Sequence, residues 1–464
     1  MFKINLDILK DSAKIQRIGG RQMDYFIERN KEKLIDITRR VLMIRSVEGK
    51  YEEDAPFGRG VKEALLKALD IGNELNFKVV NLNDLVGYVE YGEGDDIISV
   101  LGHLDVVPEG NNWKYSPFGG EIHDGKIYGR GAVDDKGPTM AALFGLYALK
   151  ETGLKISKRV RIVFGTNEET GWKDMSYYRE KVKEPIIGFA PDAQFPVINR
   201  EKGILNIILR KDFVTLNDSV KISGGDRSNV VPDRAEAVFK SRIILKSDNP
   251  DISVDGNKIF AKGISAHASL PEKGKNAIVT LFEVLESVEL PLEVREIVDF
   301  VVNVIGRDFY GKTLGVDKTD EYSGNLTLNL GVIKVTENYG ELSFNIRYPV
   351  TDSYERIVDV FKKQGNNFNL NVASFKNQPP LFVAENEPII TKLIKVYEDF
   401  TGEKGYTLSI GGGTYARAMD KGVAFGPYFP GMEDIAHQAN EFIGIDHIVK
   451  LARIYGRAIY ELAR

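Results

Sequence analysis

Seven residues of this chain have the types and spacing to do hydrolytic chemistry together: His103, Asp105, Asp134, Glu168, Glu169, Asp192 and His437. They sit in short motifs: Gly102-His103-Leu104-Asp105, Val133-Asp134-Asp135-Lys136, Asn167-Glu168-Glu169-Thr170 and Pro191-Asp192-Ala193. His437 is followed four places on by Glu441, which either orients the imidazole or is plain surface. Five carboxylates brought together without counter-charge repel and raise one another's pKa. Two divalent cations remove that cost, and two such ions about 3.5–4 Å apart clamp a hydrolytic water and a substrate oxygen. One bridging carboxylate, plus one His and one further carboxylate on each ion, would use five ligands and leave two acids over. The chain has no cysteine, so any ligand set is nitrogen and oxygen only; that suits Zn2+, and also Mn2+ or Co2+. Glu168 and Glu169 are neighbours whose side chains point apart, so one can ligate while the other faces the attacking water. Spacing alone leaves open which does which.

The motifs follow apolar runs of strand length. Ile97–Leu101, Arg159–Gly165 and Ile186–Ala190 have no amphipathic period and read as strands buried on both faces. In open α/β sheets, chemistry sits just past the carboxyl ends of such strands. Residues 23–46 and 59–76 carry apolar side chains at helical spacing, the latter with Val61, Leu65, Leu66, Leu69 and Leu75 on one face, and strands are expected at 77–82 and 86–91. Asp134 and Asp135 lie on a loop before a helix through Thr139–Lys150, where an acidic pair could simply complement the helix dipole. From about 200 to 380 the pattern turns antiparallel. Strands are expected at Gly203–Lys211, Ala235–Leu245, Asn325–Val335 and Gly340–Tyr348, with helices near 272–287 and 353–364. Helices return at 385–401 and 441–463. The expected fold is α/β: a mixed central sheet flanked by helices, built from 1–199 and 381–464, with an inserted α+β lid domain at 200–380. The 464 residues are 43% hydrophobic and 28% charged, ordinary for a globular enzyme. A net charge of −5 argues against a nucleic-acid footprint, and no apolar run reaches membrane-spanning length. With no signal-peptide pattern at the start, a cytoplasmic location is expected.

The motifs Gly102-His103-Leu104-Asp105-Val106-Val107-Pro108, Gly129–Pro138, Asn167–Gly171 and Pro191-Asp192-Ala193 resemble the dinuclear-zinc metallopeptidase family of aminoacylases, carnosinases and glutamate carboxypeptidase. Gly263–Ser269 and Gly411–Arg417 bring the resemblance closest to its PepV-type bacterial dipeptidases, over nearly the whole chain. The resemblance implies His103 and Asp192 on one metal, Glu169 and His437 on the other, and Asp134 bridging. It implies Glu168 as general base and Asp105 as the residue orienting His103. It implies Asn229, His267 and Arg347 as substrate contacts on the lid, with His267 polarising the scissile carbonyl and Arg347 clamping a terminal carboxylate. Gly413 and Thr414 would join them in binding that carboxylate. It also implies an unusual, cis peptide bond at Asp134-Asp135. Asp rather than Glu at position 192 favours the dipeptidase branch.

The expected activity is therefore hydrolysis of short dipeptides with free ends, by a metallohydrolase that works as a monomer on a small peptide substrate and binds neither nucleic acid nor membrane. The alternative is an N-acyl amino-acid deacylase or desuccinylase on the same dinuclear site. A scaffold that has only kept the fold is disfavoured, because every ligand and Glu168 are present. His123 and His447 are expected to be structural.

Overall fold

The computed structural model describes residues 20–182, 186–215, 217–245 and 247–464. It divides into two units. The first takes the chain up to Asn199, then Val383–Leu408 and Thr414–Arg464; the second is Arg200–Phe382 with Ser409–Gly413. The first division falls at 199/200, the second lies two residues beyond the expected 380/381, and the Ser409–Gly413 stretch changes sides. The reason is local: Ile410 O accepts the Lys202 N–H at 3.0 Å, and Gly411 O accepts Arg347 Nη1 at 2.8 Å.

In the first unit the central sheet sets Lys78–Leu82, Val86–Tyr91, Arg159–Gly165, Ile97–His103, Ile187–Ala190, Lys421–Ala424 and Val197–Glu201 side by side in that order. Ile97–His103 runs parallel to both its neighbours, and Ile187–Ala190 parallel to Lys421–Ala424; the first two strands pair antiparallel. Every residue of Ile97–His103 is buried, as its unbroken apolar run demands. His103 lies opposite Gly165 in the parallel register, so the Asp105, Glu168 and Asp192 loops leave one edge of the sheet together.

Two long helices cover this sheet. Lys136–Glu151 is buried along almost its whole length and packs on Ile445–Ala463. A Cβ on Gly145 would stand 2.7 Å from Gly456 N and 2.8 Å from Ala452 O, so the two backbones approach as closely as they do only because Gly145 has no side chain. The 23–46 region forms helix at 20–29 and again at Lys31–Leu42. Arg59–Glu74 is helical as expected, but Leu66 points to solvent instead of into the face with Leu65 and Leu69.

The second unit is an eight-stranded antiparallel sheet. Its order is Ile252–Asp255, Lys258–Lys262, Arg234–Phe239, Val220–Gly224, Thr327–Val335, Tyr339–Tyr348, Gly203–Asp212 and Asn371–Gln378. Leu205, Ile207, Leu209, Phe344 and Ile346 share its core with Ile297 and Phe361 from the helices Leu292–Phe300 and Tyr354–Asn366. The strand expected at Ala235–Leu245 ends at Phe239, and the helix expected from 272 starts at Ala277, where the Asn276 side chain accepts from the N–H groups of Ile278 and Val279. Among the described residues no helix is long and apolar enough to cross a membrane.

Candidate metal centre

His103 closes its strand with a fully buried side chain. Its Nδ1 lies 2.9 Å from the Asp105 carbonyl oxygen. A carbonyl only accepts, so Nδ1 carries the hydrogen and Nε2 is the atom turned toward the cluster. Nε2 stands 3.1 Å from Asp134 Oδ1 and 3.7 Å from Asp192 Oδ2. On the other side, His437 Nε2 stands 2.9 Å from Asp134 Oδ2 and 3.2 Å from Glu169 Oε1. The two carboxylate oxygens of Asp134 therefore face two different imidazoles, each with one further carboxylate beside it. Donor atoms 2.0–2.2 Å from a zinc ion at tetrahedral angles lie about 3.4 Å from one another. The separations of 2.9–3.7 Å match that spacing, and the residues fit a pair of cations sharing Asp134.

The electrostatics point the same way. Burial lifts Glu168 and Asp192 well above the usual carboxylate range, and neighbouring carboxylates add to it against the opposing pull of His103. Asp134 is partly buried and desolvation acts on it in the same direction, yet the two imidazoles hold it far below that range. Partial desolvation of the half-exposed His437 ring disfavours its charge, but Asp134 and Glu169 outweigh it and lift the ring to about 11. So many acids in so little water need positive charge, and two imidazolium rings are an incomplete substitute for two divalent ions.

Loops and hydrogen bonds fix each group. The Asp105 carboxylate accepts the Glu168 N–H on one oxygen and the Glu169 N–H on the other, both at 3.1 Å. Its Oδ1 lies 3.5 Å from His103 Nδ1, so the ring is held mainly by the Asp105 backbone while the carboxylate shapes the Glu168-Glu169 turn. The Asp134-Asp135 peptide bond is cis. Asp135 does not act as a dipole-complementing acid at a helix end. It is buried, makes no side-chain cap, and accepts the His103 N–H at 3.2 Å and the Thr139 hydroxyl at 2.9 Å. Gly102 is required here, since a Cβ on it would overlap the Thr139 hydroxyl. Burial raises Asp135 to about 8.

Several supporting residues carry no motif signal of their own. Asp174 accepts the N–H groups of Thr166 at 2.7 Å and Asn167 at 3.1 Å, and also the hydroxyl of Tyr415, whose ring meets His103 edge-on. Trp172 Nε1 donates to Glu168 O at 2.8 Å. Arg130, Lys136 and Tyr428 belong to the same surround. Of these residues Arg130, Lys136 and Tyr415 lie within the motifs Gly129–Pro138 and Gly411–Arg417, and Asp174, Trp172 and Tyr428 lie in none. Lys136 is fully buried, donates to Val41 O and Ile44 O, and is pushed down to about 7 by burial. His123 pairs with Glu121 and stacks on Tyr115, and His447 donates to Pro427 O; both lie apart from the cluster.

Thr414 belongs to the first unit, where its side chain accepts the Ala416 N–H. The remaining expected substrate contacts belong to the second. There the Ala268 N–H donates to Asn229 O, His267 Nδ1 lies 2.7 Å from the Ser269 hydroxyl, and Gly413 follows the carbonyl that Arg347 holds. Arg347 is buried and also donates to Asn345 Oδ1 at 2.8 Å.

His and carboxylate side chains spaced to fit two cations at the carboxyl edge of a mixed sheet, with a separate antiparallel unit inserted in the chain, mark a metallohydrolase. Residues 100–461 match the model of Peptidase family M20/M25/M40, and the chain belongs to that family of metal-dependent peptidases. It is 42% identical over 458 residues to "Putative dipeptidase YtjP" of Bacillus subtilis, covering 94% of this chain and 98% of that one. A Staphylococcus epidermidis protein described in the same words is 34% identical over 460 residues, covering 93% and 97%. Among solved structures, the dipeptidase Dug1p of Saccharomyces cerevisiae shares the fold, with a TM-score of 0.58 over 96% of this chain and 98% of that one at 14% identity.

Proposed function

We propose that the chain is a dipeptidase that hydrolyses short, unblocked dipeptides at this centre. The observation that carries the reading is Asp134, whose two oxygens face His103 and His437 separately at 3.1 and 2.9 Å. His103 and Asp192 would hold one ion, His437 and Glu169 the other, with Asp134 between; zinc suits this donor set, with manganese or cobalt as substitutes. When bound, the two cations supply Lewis acidity, acidifying a water and polarising the scissile carbonyl.

The remaining work belongs to the chain. Glu168 is the general base. Its carboxylate takes the proton from the attacking water and then delivers it to the departing amine nitrogen. Asp105 fixes the turn that presents it. From the second unit, the His267 imidazole is suited to donate to the carbonyl oxygen as charge develops there, and Asn229 to a second hydrogen bond. Arg347, with the backbone of Gly413 and the hydroxyl of Thr414, suits a terminal carboxylate. One chain would supply all of these groups and act as a monomer.

A panel of free dipeptides set against their N-acylated counterparts tests the substrate class. The free dipeptides are expected to be cleaved, and a preference for acylated substrates would transfer the site to a deacylase. Mixing the His267→Ala and Glu168→Gln proteins under subunit-exchange conditions tests the monomer. No activity should return; recovery would place His267 in a partner's site.

A further inference from the structure

Glu441 and Arg130 form a fully buried ion pair with Nη1 and Oε2 at 2.7 Å. Neither is among the five side chains proposed to hold metal, and Glu441, which the sequence left open as a partner of the His437 ring or plain surface, is buried with its carboxylate turned to Arg130 and the Asp134 loop. The geometry assigns the pair a positioning role: it ties the Asp134 loop to the His437 segment and so sets the spacing of the two half-sites. This rests on the paired-metal reading above.

The connection can be followed atom by atom. Lys126–Tyr128 pairs antiparallel with Phe442–Gly444, and the Gly129 N–H continues that pairing to Glu441 O at 3.0 Å. The Glu441 side chain then turns under the loop that follows. Its Oε2 accepts the Gly131 N–H at 3.1 Å, and its Oε1 accepts the N–H groups of Val133 at 2.9 Å and Asp134 at 3.2 Å. One carboxylate thus gathers three backbone N–H groups of the loop that ends in the bridging ligand. Arg130 carries the link onward. Its Nη2 donates to His437 O at 3.2 Å and its Nη1 to Gln438 O at 3.1 Å.

The His437 segment has need of such a hold. His437 is half-exposed and sits at φ +62°, in no helix or strand, with Asn440 at φ +63°. On its other flank the Tyr428 hydroxyl accepts the N–H groups of Ile435 and Ala436 at 3.2 and 3.1 Å. Groups that orient metal ligands through a hydrogen-bonded outer layer typically govern affinity by 10–100-fold. Here that layer works on the backbone of both ligands at once.

Two substitutions separate positioning from mere stability. Glu441→Gln keeps the size but turns an NH2 toward donors, disturbing the shared ligand Asp134. Arg130→Lys keeps a charge beside Glu441 but cannot reach both carbonyls, so it disturbs the His437 side alone. The measurement is titration of metal-free protein with Zn2+, read as two binding constants, alongside thermal unfolding of the same metal-free samples. The expected result is at least a tenfold loss in both constants for Glu441→Gln and in one only for Arg130→Lys. If Glu441→Gln does not fold, the Arg130→Lys asymmetry still decides. Wild-type constants in both variants, with lowered melting temperatures, would make the pair structural only and overturn the assignment. Wild-type protein that binds no second ion would instead remove the paired-metal reading beneath it.

Discussion

Asp105→Asn isolates the turn that presents Glu168, the proposed general base. In the native protein two buried N–H groups, those of Glu168 and Glu169, end on the two oxygens of one carboxylate. Asparagine keeps the shape but offers one oxygen, and its NH2 faces the other N–H. One charge-assisted bond is lost and one buried donor is left opposed, a cost of about 1–3 kcal/mol. If all of it falls on the transition state, the conversion of about 1.4 kcal/mol per tenfold gives a loss of roughly 5–150-fold in kcat. Neither Nε2 of His103 nor the facing oxygens of Asp134 and Asp192 are altered, and the Asp105 carbonyl that holds His103 Nδ1 remains. Metal content should therefore stay at the wild-type level, and KM for a dipeptide should change little. Steady-state kinetics with elemental analysis of the same preparation read both quantities. Unchanged kcat would refute the reasoning, as would a fall in kcat accounted for entirely by lost metal.

The other predictions are briefer. Glu168→Gln should abolish hydrolysis with metal retained, and Glu169→Gln should weaken metal binding itself; elemental analysis showing the reverse would exchange the two roles. Exhaustive chelation should abolish hydrolysis, and Zn2+, Mn2+ or Co2+ should restore it; full activity in metal-free protein would remove the mechanism. Asp174 is raised to about 6, by burial first. A carboxyl whose folded pKa lies above its unfolded value binds its proton more tightly when folded, so stability declines as pH rises from about 4 to about 6 and then levels. Asp174→Asn should flatten that part of the melting-temperature profile, and an unaltered slope would show that another group sets it.

The chemistry was legible in the sequence where it ends a buried strand. His103, Glu168 and Asp192 each follow a mainly apolar strand, and a parallel register turns those separate ends into one edge. His437 has no such marker, because its segment belongs to no helix or strand; only its type and the motif resemblance pointed to it. Glu441 was visible as a nearby acid, but its partners are backbone groups some 310 positions earlier, which no local spacing encodes. In the second unit, Val220–Gly224 and Ile252–Asp255 alternate buried or half-buried with exposed residues over only five and four positions, too short a signal to stand out from loop. The broken start of the helix at Ala277 shows how a cap overrides periodicity. Pro271–Lys273 carries residues that could extend the helix, yet the Asn276 side chain fixes the first turn after it.

The pairing of Lys126–Tyr128 with Phe442–Gly444 joins stretches of chain separated by most of the protein's length. Closing so long a loop costs entropy before any contact rewards it, so this pairing belongs late in assembly.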